Sequence, residues 1–326
     1  MPARNLSLRT NELEVWLSAC GFNSFTLQPL AGDASFRRYF RVTAQQKSFI
    51  VMDVPSGEDC RPFIAIANAL RQLQLQTPVI LEANLTQGFL LLTDFGDTTY
   101  LRGLNKDNAN SLYQLALNKL TILQTCQQVE GYAIPPFTRE WMWQEWRWHQ
   151  EWFLDKLLGL PPISDNLEKE YALIVESAAT QPQVFMHRDF HSANLMILPH
   201  DVGILDFQDA FIGPITYDLA SLLRDCYIDW PQENIKQWLS DYWQMMQKNY
   251  DVVEYQEFIK WFDWMCVQRH LKALLTFARK KMRDQQSHYL QYIPRTLSYI
   301  VEVTKQYPEL SAIHDYYLGI FNLCEQ

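Results

Sequence analysis

Residues 184–218, VFMHRDFHSANLMILPHDVGILDFQDAFIGPITYD, leave this chain the fewest options. An apolar run enters a polar loop, and two further apolar runs are split by Pro199-His200-Asp201, so the segment reads as strand, loop and hairpin. The loop carries Asp189 and Asn194, and Asp206 arrives at the end of the next strand. One carboxylate that can orient an attacking hydroxyl and take its proton stands near a carboxamide and a second carboxylate that can hold Mg²⁺ through oxygen. Phosphoryl transfer uses this set of groups.

The spacing His187-x-Asp189-x-x-x-x-Asn194 matches the kinase catalytic loop. The whole phrase, HRDFHSANLM followed by ILDFQDAFIGPITYDLASLLRD, resembles the aminoglycoside phosphotransferase (choline kinase-like) family of small-molecule kinases, from about residue 30 to the last helices. The resemblance implies an α+β, bilobal protein kinase-like fold. Residues 1–95 would form a small ATP-binding lobe of about five antiparallel strands plus a helix, and residues 96–326 a large, mainly helical catalytic and substrate-binding lobe. It also implies ATP and Mg²⁺ as cofactors. Within the family the phrasing is most similar to the bacterial kinases of the anomeric hydroxyl of N-acetylmuramate and N-acetylglucosamine, which serve cell-wall sugar salvage.

Bulk properties narrow the partners. The net charge is −9 with a pI near 5.3, which argues against nucleic acid or an anionic membrane as the main partner. Hydrophobic residues make up 48% of the chain, enough for a large core. The 6 cysteines are scattered without a C-x-x-C pair, as in a reduced cytosolic protein. The first residues lack the apolar core of a signal peptide, and no run is long and apolar enough to span a membrane. A cytoplasmic monomer with a small-molecule sugar substrate is expected.

In the first lobe, residues 7–20 read as an amphipathic helix, and 25–30, 36–43 and 48–54 as strands. The turn containing Gly32, Asp33, Ala34 and Ser35 reads from its residues as a hairpin turn; by the resemblance it is the phosphate-covering loop, offering backbone N–H groups to an anion. Met52 occupies the third-strand position where kinases place a phosphate-binding lysine, and the helix at 61–74 lacks the partner glutamate. Phe36, Arg38, Phe40 and Val42 alternate on one face, so Arg38 is read either as pointing into the cleft in place of that lysine, with Arg37 as the fallback, or as an edge arginine reaching solvent. Residues 79–83 and 89–93 complete the sheet. The letters Asp94-Phe95-Gly96 precede the catalytic loop and are not the metal motif. By the resemblance they belong to the hinge, where backbone groups from Leu92 to Asp94 would bond adenine.

The second lobe is read as helices at 107–128, 138–158 and 165–180, and from 217–226 onward as nearly all helix. Trp141, Glu145, Trp148 and Trp152 share one face of the second of these, either as core or as a sugar platform with Glu145 accepting a hydroxyl. His191 and Asp209 are read as substrate or metal contacts or as structural braces, and Arg188 as a residue that is simply exposed. His187 reads as a brace of the loop, and Asp218 as a buried acceptor of the loop's N–H groups. On the long helix at 253–283, Arg269, Lys272 and Arg279 are a cationic set that either meets a substrate carboxylate or forms a solvated face.

Only about 11 residues separate Asp206 from Asp218, with no A-P-E phrase after them, which leaves no room for a peptide-holding activation segment. Three readings follow. In the first, ATP phosphorylates the C1 hydroxyl of N-acetylmuramate or N-acetylglucosamine, as the resemblance implies. The second is an aminoglycoside or other amino-alcohol phosphotransferase, and the third a nucleotide-binding pseudokinase scaffold, for which Met52 is the main argument.

Overall fold

The computed structural model describes residues 3–30, 37–54, 58–250 and 253–324. Helix α1 (Ala3–Ala19) leads into β1 (Thr26–Leu30), β2 (Arg38–Ala44) and β3 (Lys47–Asp53), then α2 (Arg61–Gln72), β4 (Ile80–Asn84) and β5 (Phe89–Thr93). The strands form one antiparallel five-stranded sheet in the order β1-β2-β3-β5-β4.

Both faces of this sheet are covered, which explains its apolar runs on alternate and on neighbouring positions. Phe40, Val42, Val51, Phe89 and Leu91 face one way and pack on Leu13, Trp16 and Leu17 of α1. Met52, Leu90 and Leu92 face the other way, into the main core with Phe63, Ile66 and Leu70 of α2.

The remainder is mostly helical. After α3 (Tyr100–Gly103) come α4 (Ala109–Leu123), α5 (Arg139–His149) and α6 (Asp165–Thr180). The single helix expected at 138–158 is in fact α5 running into a π-helical segment, Gln150–Leu157, where the Leu158 N–H reaches back to the Phe153 carbonyl at 3.2 Å. Two short antiparallel pairs carry the catalytic segment: β6 (Gln183–Met186) with β9 (Phe211–Pro214), and β7 (Leu195–Leu198) with β8 (Asp201–Ile204). The helices α7 (Tyr217–Leu223), α8 (Gln232–Met246), α9 (Tyr255–Met282), α10 (Ile293–Thr304) and α11 (Ser311–Cys324) close the lobe. Helix α9 is buried on nearly every side, from Phe258 to Ala278. None of the described helices is long and apolar enough to cross a membrane.

The segment between α2 and β4 and the connection from β5 are both stitched to the β7–β8 hairpin. The Ile204 N–H donates to the Gln76 carbonyl at 2.8 Å, and the Ile197 N–H to that of Thr98 at 2.9 Å. Gly203 is needed at this junction, because a Cβ there would lie 2.7 Å from the Phe95 ring. Phe95, the middle letter of Asp94-Phe95-Gly96, therefore anchors the connection to the hairpin.

Candidate active site

The loop between β6 and β7 is held open by its neighbours. Asp218, at the start of α7, accepts the backbone N–H of His187 at 2.6 Å and of Arg188 at 2.9 Å, so the brace read from the sequence is present. Its burial raises the Asp218 pKa to about 7, against the pull of those two donors. His187 also braces the loop: one ring nitrogen lies 2.9 Å from the Leu205 carbonyl, and the other 3.3 Å from the Asp189 N–H. Burial lowers its pKa to about 4, so the imidazole is neutral. Arg188 (φ 76°) and Asp206 (φ 64°) both sit in the left-handed region, which costs a side-chain-bearing residue about 1–3 kcal/mol unless its surroundings enforce it. The two outliers flank Asp189 in the fold, and the bonds to Asp218 and His187 supply that enforcement.

Arg188 is not simply exposed. Its guanidinium lies over Phe211, 4.6 Å from the ring centroid, and pairs with buried Glu145 at 3.3 Å. Glu145 also accepts from Trp141 Nε1 and from the Gln268 amide, each at 3.2 Å. A carboxylate so placed has no free face for a sugar hydroxyl. Glu145 is a buried brace that orients Arg188, which corrects its reading as a substrate acceptor. Of its tryptophan neighbours, Trp146 is core, while Trp141 and Trp148 meet edge to face at 5.9 Å.

Asp189 points to the helical side. Lys272 Nζ lies 2.8 Å and Arg269 Nη2 3.2 Å from the same carboxylate oxygen, and His191 Nε2 stands 3.9 Å from it. Burial alone would raise the Asp189 pKa, but Lys272 and Arg269 outweigh it and hold the carboxyl well below its usual range. Asp189 is thus ionised and ready to accept a hydrogen bond. Burial lowers the Lys272 pKa in turn, with Asp189 opposing. These three groups line a pocket of about 40 Å³ together with His191, Ser221, Asp225 and Tyr227. Asp225 shapes it by accepting the N–H of Ser192 at 2.9 Å and of Tyr227 at 2.8 Å.

On the other side of the loop a cleft of about 610 Å³ opens under the sheet, lined by Tyr39, Ile50, Phe63, Leu92, Asn194 and Asp206 among others. The Asn194 amide donates to the Asp189 carbonyl at 3.0 Å, which leaves its own carbonyl oxygen for another partner. The hairpin joins Asn194 to the approach of Asp206 through the Leu205 N–H, 3.0 Å from the Asn194 backbone carbonyl, a different oxygen from that of the side chain. Asp206 opens to the cleft, yet the surrounding protein desolvates it and raises its pKa; the Gln208 amide, 2.7 Å away, opposes this, while Asp189 and Asp209 add to it. Among the described residues no cluster of three or more His, Cys, Asp or Glu forms a metal cage. Two oxygen donors amid mutually repelling carboxylates suit instead a hard divalent cation that shares its remaining positions with phosphate oxygens and water.

The proposed lysine substitute needs correction. Arg38 lies with Phe40 and Val42 on the α1 face of the sheet, where its Nε donates to Asp53 at 2.9 Å, and Arg9 of α1 binds the other carboxylate oxygen of Asp53. The cleft face of β2 carries Tyr39 and Arg41 instead. Arg41 is held by Asp94 at 2.6 Å and Asp97 at 2.7 Å, so the Asp94 side chain fixes the segment after β5 while Leu92, Thr93 and Asp94 line the cleft. Arg37, the fallback, pairs with Glu58 at 3.5 Å and is close enough to Asp206 to lower its pKa. Met52 is fully buried in the α2 core. Gly32, Asp33, Ala34 and Ser35 lie outside the described residues. Asp209 is exposed, and its carbonyl accepts from Arg188 at 3.4 Å.

Sequence reasoning missed Ser221 and Asp225, which carry no local signature, and Glu58, which precedes α2 rather than lying in it.

A bilobal arrangement with Asp189 between a sheet-roofed cleft and a helical pocket is that of a kinase-like phosphotransferase. The chain belongs to the phosphotransferase enzyme family, whose model matches residues 26–255. As a member of it, the protein is an ATP-dependent kinase of a hydroxyl acceptor. The chain is 37% identical over 324 residues to the N-acetylmuramate/N-acetylglucosamine kinase of Pseudomonas putida, covering 94% of this chain and 95% of that one. It is 35% identical to the kinase of the same name from Neisseria meningitidis, over 94% of both chains. Among solved structures, the choline kinase LicA of Streptococcus pneumoniae superimposes with a TM-score of 0.62 at 12% identity, over 89% of this chain and 98% of that one. Aminoglycoside 2'-phosphotransferase-IIIa gives 0.60 at 14% identity, over 88% and 98%. At such identities the structures share the fold alone.

Proposed function

We propose that this enzyme transfers the γ-phosphoryl group of ATP to the C1 hydroxyl of N-acetylmuramate and N-acetylglucosamine. The transfer chemistry rests on one observation: Asp189 stands ionised at the boundary between the cleft that holds Asn194 and Asp206 and the pocket walled by α9. The choice of acceptor rests on the relatives that carry that name over nearly the full chain.

In this reading residues 1–95 form the ATP-binding lobe and 96–326 the catalytic lobe. Adenine lies against Ile50 and Leu92 beside the backbone of Leu92 to Asp94. Arg37, held by Glu58, takes the place of the third-strand lysine. Asn194 and Asp206 would hold Mg²⁺, which neutralises charge on the β- and γ-phosphates when bound. Asp189 orients O1 and receives its proton, and an anomeric hydroxyl is more acidic than an ordinary alcohol. Because the transition state is loose, position and charge matter more than base strength, and a carboxylate with a depressed pKa suffices.

His191, Tyr227 and Thr276 line the acceptor side with Arg269 and Lys272. Arg279 follows Lys272 on the same helical face, about 10 Å along the axis. Its Nε is buried without a hydrogen-bond partner, and it lies 5.8 Å from the Trp152 ring centroid. In this reading it would meet a carboxylate substituent of the sugar, although it lines neither cavity. Asp209 serves the loop through its backbone.

Incubation with Mg-ATP and each of N-acetylmuramate, N-acetylglucosamine, kanamycin and choline, followed by ³¹P NMR, tests the acceptor. An anomeric phosphate doublet with the acetylated sugars is expected. Phosphorylation of kanamycin or choline instead would overturn the sugar assignment.

A further inference from the structure

The pocket behind Asp189 holds an imbalance of charge. Three cations, Arg224, Arg269 and Lys272, line it with two carboxylates, Asp189 and Asp225. Arg224 pairs outward with Glu302 at 3.5 Å, and Asp225 is occupied by two backbone N–H groups. Arg269 and Lys272 both meet Asp189, on the same oxygen, while Asp225 is turned to the backbone. Two cations crowded on one carboxylate oxygen have donors left over, which an anion entering the pocket would accept. Two anions could do so, a carboxylate on the acceptor or the phosphoryl group in transit.

Geometry separates them. Arg269 is fixed, its Nε donating to Ser221 at 2.8 Å while its Nη2 meets Asp189. Lys272 Nζ lies 2.8 Å from the oxygen of the group that must hydrogen-bond the attacking hydroxyl. A carboxylate doing that work stands about 3 Å from the hydroxyl oxygen. The ammonium is thereby held within about 6 Å of the oxygen where the new O–P bond forms, close enough to reach the phosphoryl group bonded to it.

We infer that Lys272 is a catalytic residue whose ammonium bridges Asp189 and the transferring phosphoryl group, stabilising the charge on its equatorial oxygens. The acceptor oxygen bonds to the γ-phosphorus as the bond from that phosphorus to the β–γ bridging oxygen breaks. ADP leaves with that electron pair, the hydroxyl proton passes to Asp189, and Lys272 keeps all its protons. The assignment rests on phosphoryl transfer at Asp189 and is independent of which sugar accepts.

Lys272→Met and Lys272→Arg, assayed with Mg-ATP and each of the two acetylated sugars, test it. Loss of one preorganised charge at a developing anion lowers turnover by about 10²–10³-fold. Lys272→Met should lower kcat by that factor with both acceptors while leaving each KM and ATP binding within about twofold, and Lys272→Arg should restore most of the loss. Slow hydrolysis of ATP without sugar, with water in the acceptor's place, should fall by the same factor. That arm reads Lys272 even if the wild-type enzyme phosphorylates neither sugar, an outcome that would refute the acceptor and not the lysine. A raised KM confined to N-acetylmuramate with kcat kept would put Lys272 on the acceptor's carboxylate and overturn the inference. An unchanged or raised kcat would also overturn it, since removing a cation that depresses the Asp189 pKa makes that carboxylate a stronger base. Thermal melts establish folding, with Lys272→Gln as the second variant should methionine prevent it.

Discussion

The wide cleft under the sheet is walled by Tyr39, Ile50, Phe63, Leu92 and Phe207, whereas the small pocket on the other side of the catalytic loop is walled by Arg224, Arg269 and Lys272. In the first, the strand position that kinases give to a lysine is the buried Met52, packed with Phe63 in the α2 core. In the second, two cations converge on one carboxylate oxygen. The difference puts the cations that touch Asp189 on the helical side, while Arg41 and Arg102 of the cleft stand apart from it. The central strands of the sheet give Asp189 no cation; Arg269 and Lys272 of α9, 80 and 83 residues beyond it in sequence, do.

Four changes probe this division. Asp189 stands between the two sides, and Asp189→Asn should lower kcat by about 10³-fold while the affinity for Mg-ATP, read by calorimetry, moves less than twofold. Retained turnover would mean that neither side is organised around it. Asp218 ties the loop to the helical side, and its effect should depend on pH. Its folded pKa, about 7, lies above that of an unfolded aspartate, so its stabilising contribution is full below about pH 4 and lost as pH rises through 7. Urea melts should show the wild type losing about 2–3 kcal/mol relative to Asp218→Asn between pH 5 and pH 8. A pH-independent difference would contradict the burial argument.

On the sheet side, Arg37→Ala should raise the KM for ATP by about tenfold, the worth of one charge-assisted contact. Arg38→Ala should leave that KM unchanged and lower stability by no more than about 1 kcal/mol, because Arg9 still pairs with Asp53. If the two arginines exchanged effects in steady-state assays, the assignment of the two sheet faces would be reversed.

Those two arginines also mark a limit of reading the chain alone. Arg38, Phe40 and Val42 alternate as a buried row should, but the row faces α1 rather than the nucleotide. Alternation tells which residues share a face; it cannot tell which face meets the cleft when helices or a second lobe cover both. Glu145 is similar. The helical period put it beside Trp141 and Trp148, and only the packing of Arg188 and Gln268 against it showed that its oxygens are used.

What the sequence by itself determined was local. Asp189, Asn194 and Asp206 lie within 18 residues on a strand, a loop and a hairpin, and the short-range bonds of that segment leave few ways to arrange them. His187 and Asp218 were legible as braces for the same reason. The five-stranded sheet followed from apolar runs and turn residues. Only the tertiary structure decided which cations meet Asp189. Helix α9 is buried around most of its circumference, so its apolar pattern has no polar face to orient it, and Arg269 and Lys272 read equally well as a solvated edge. Their contact with Asp189 depends on how α7 and α9 pack, a long-range event that no spacing within either helix encodes.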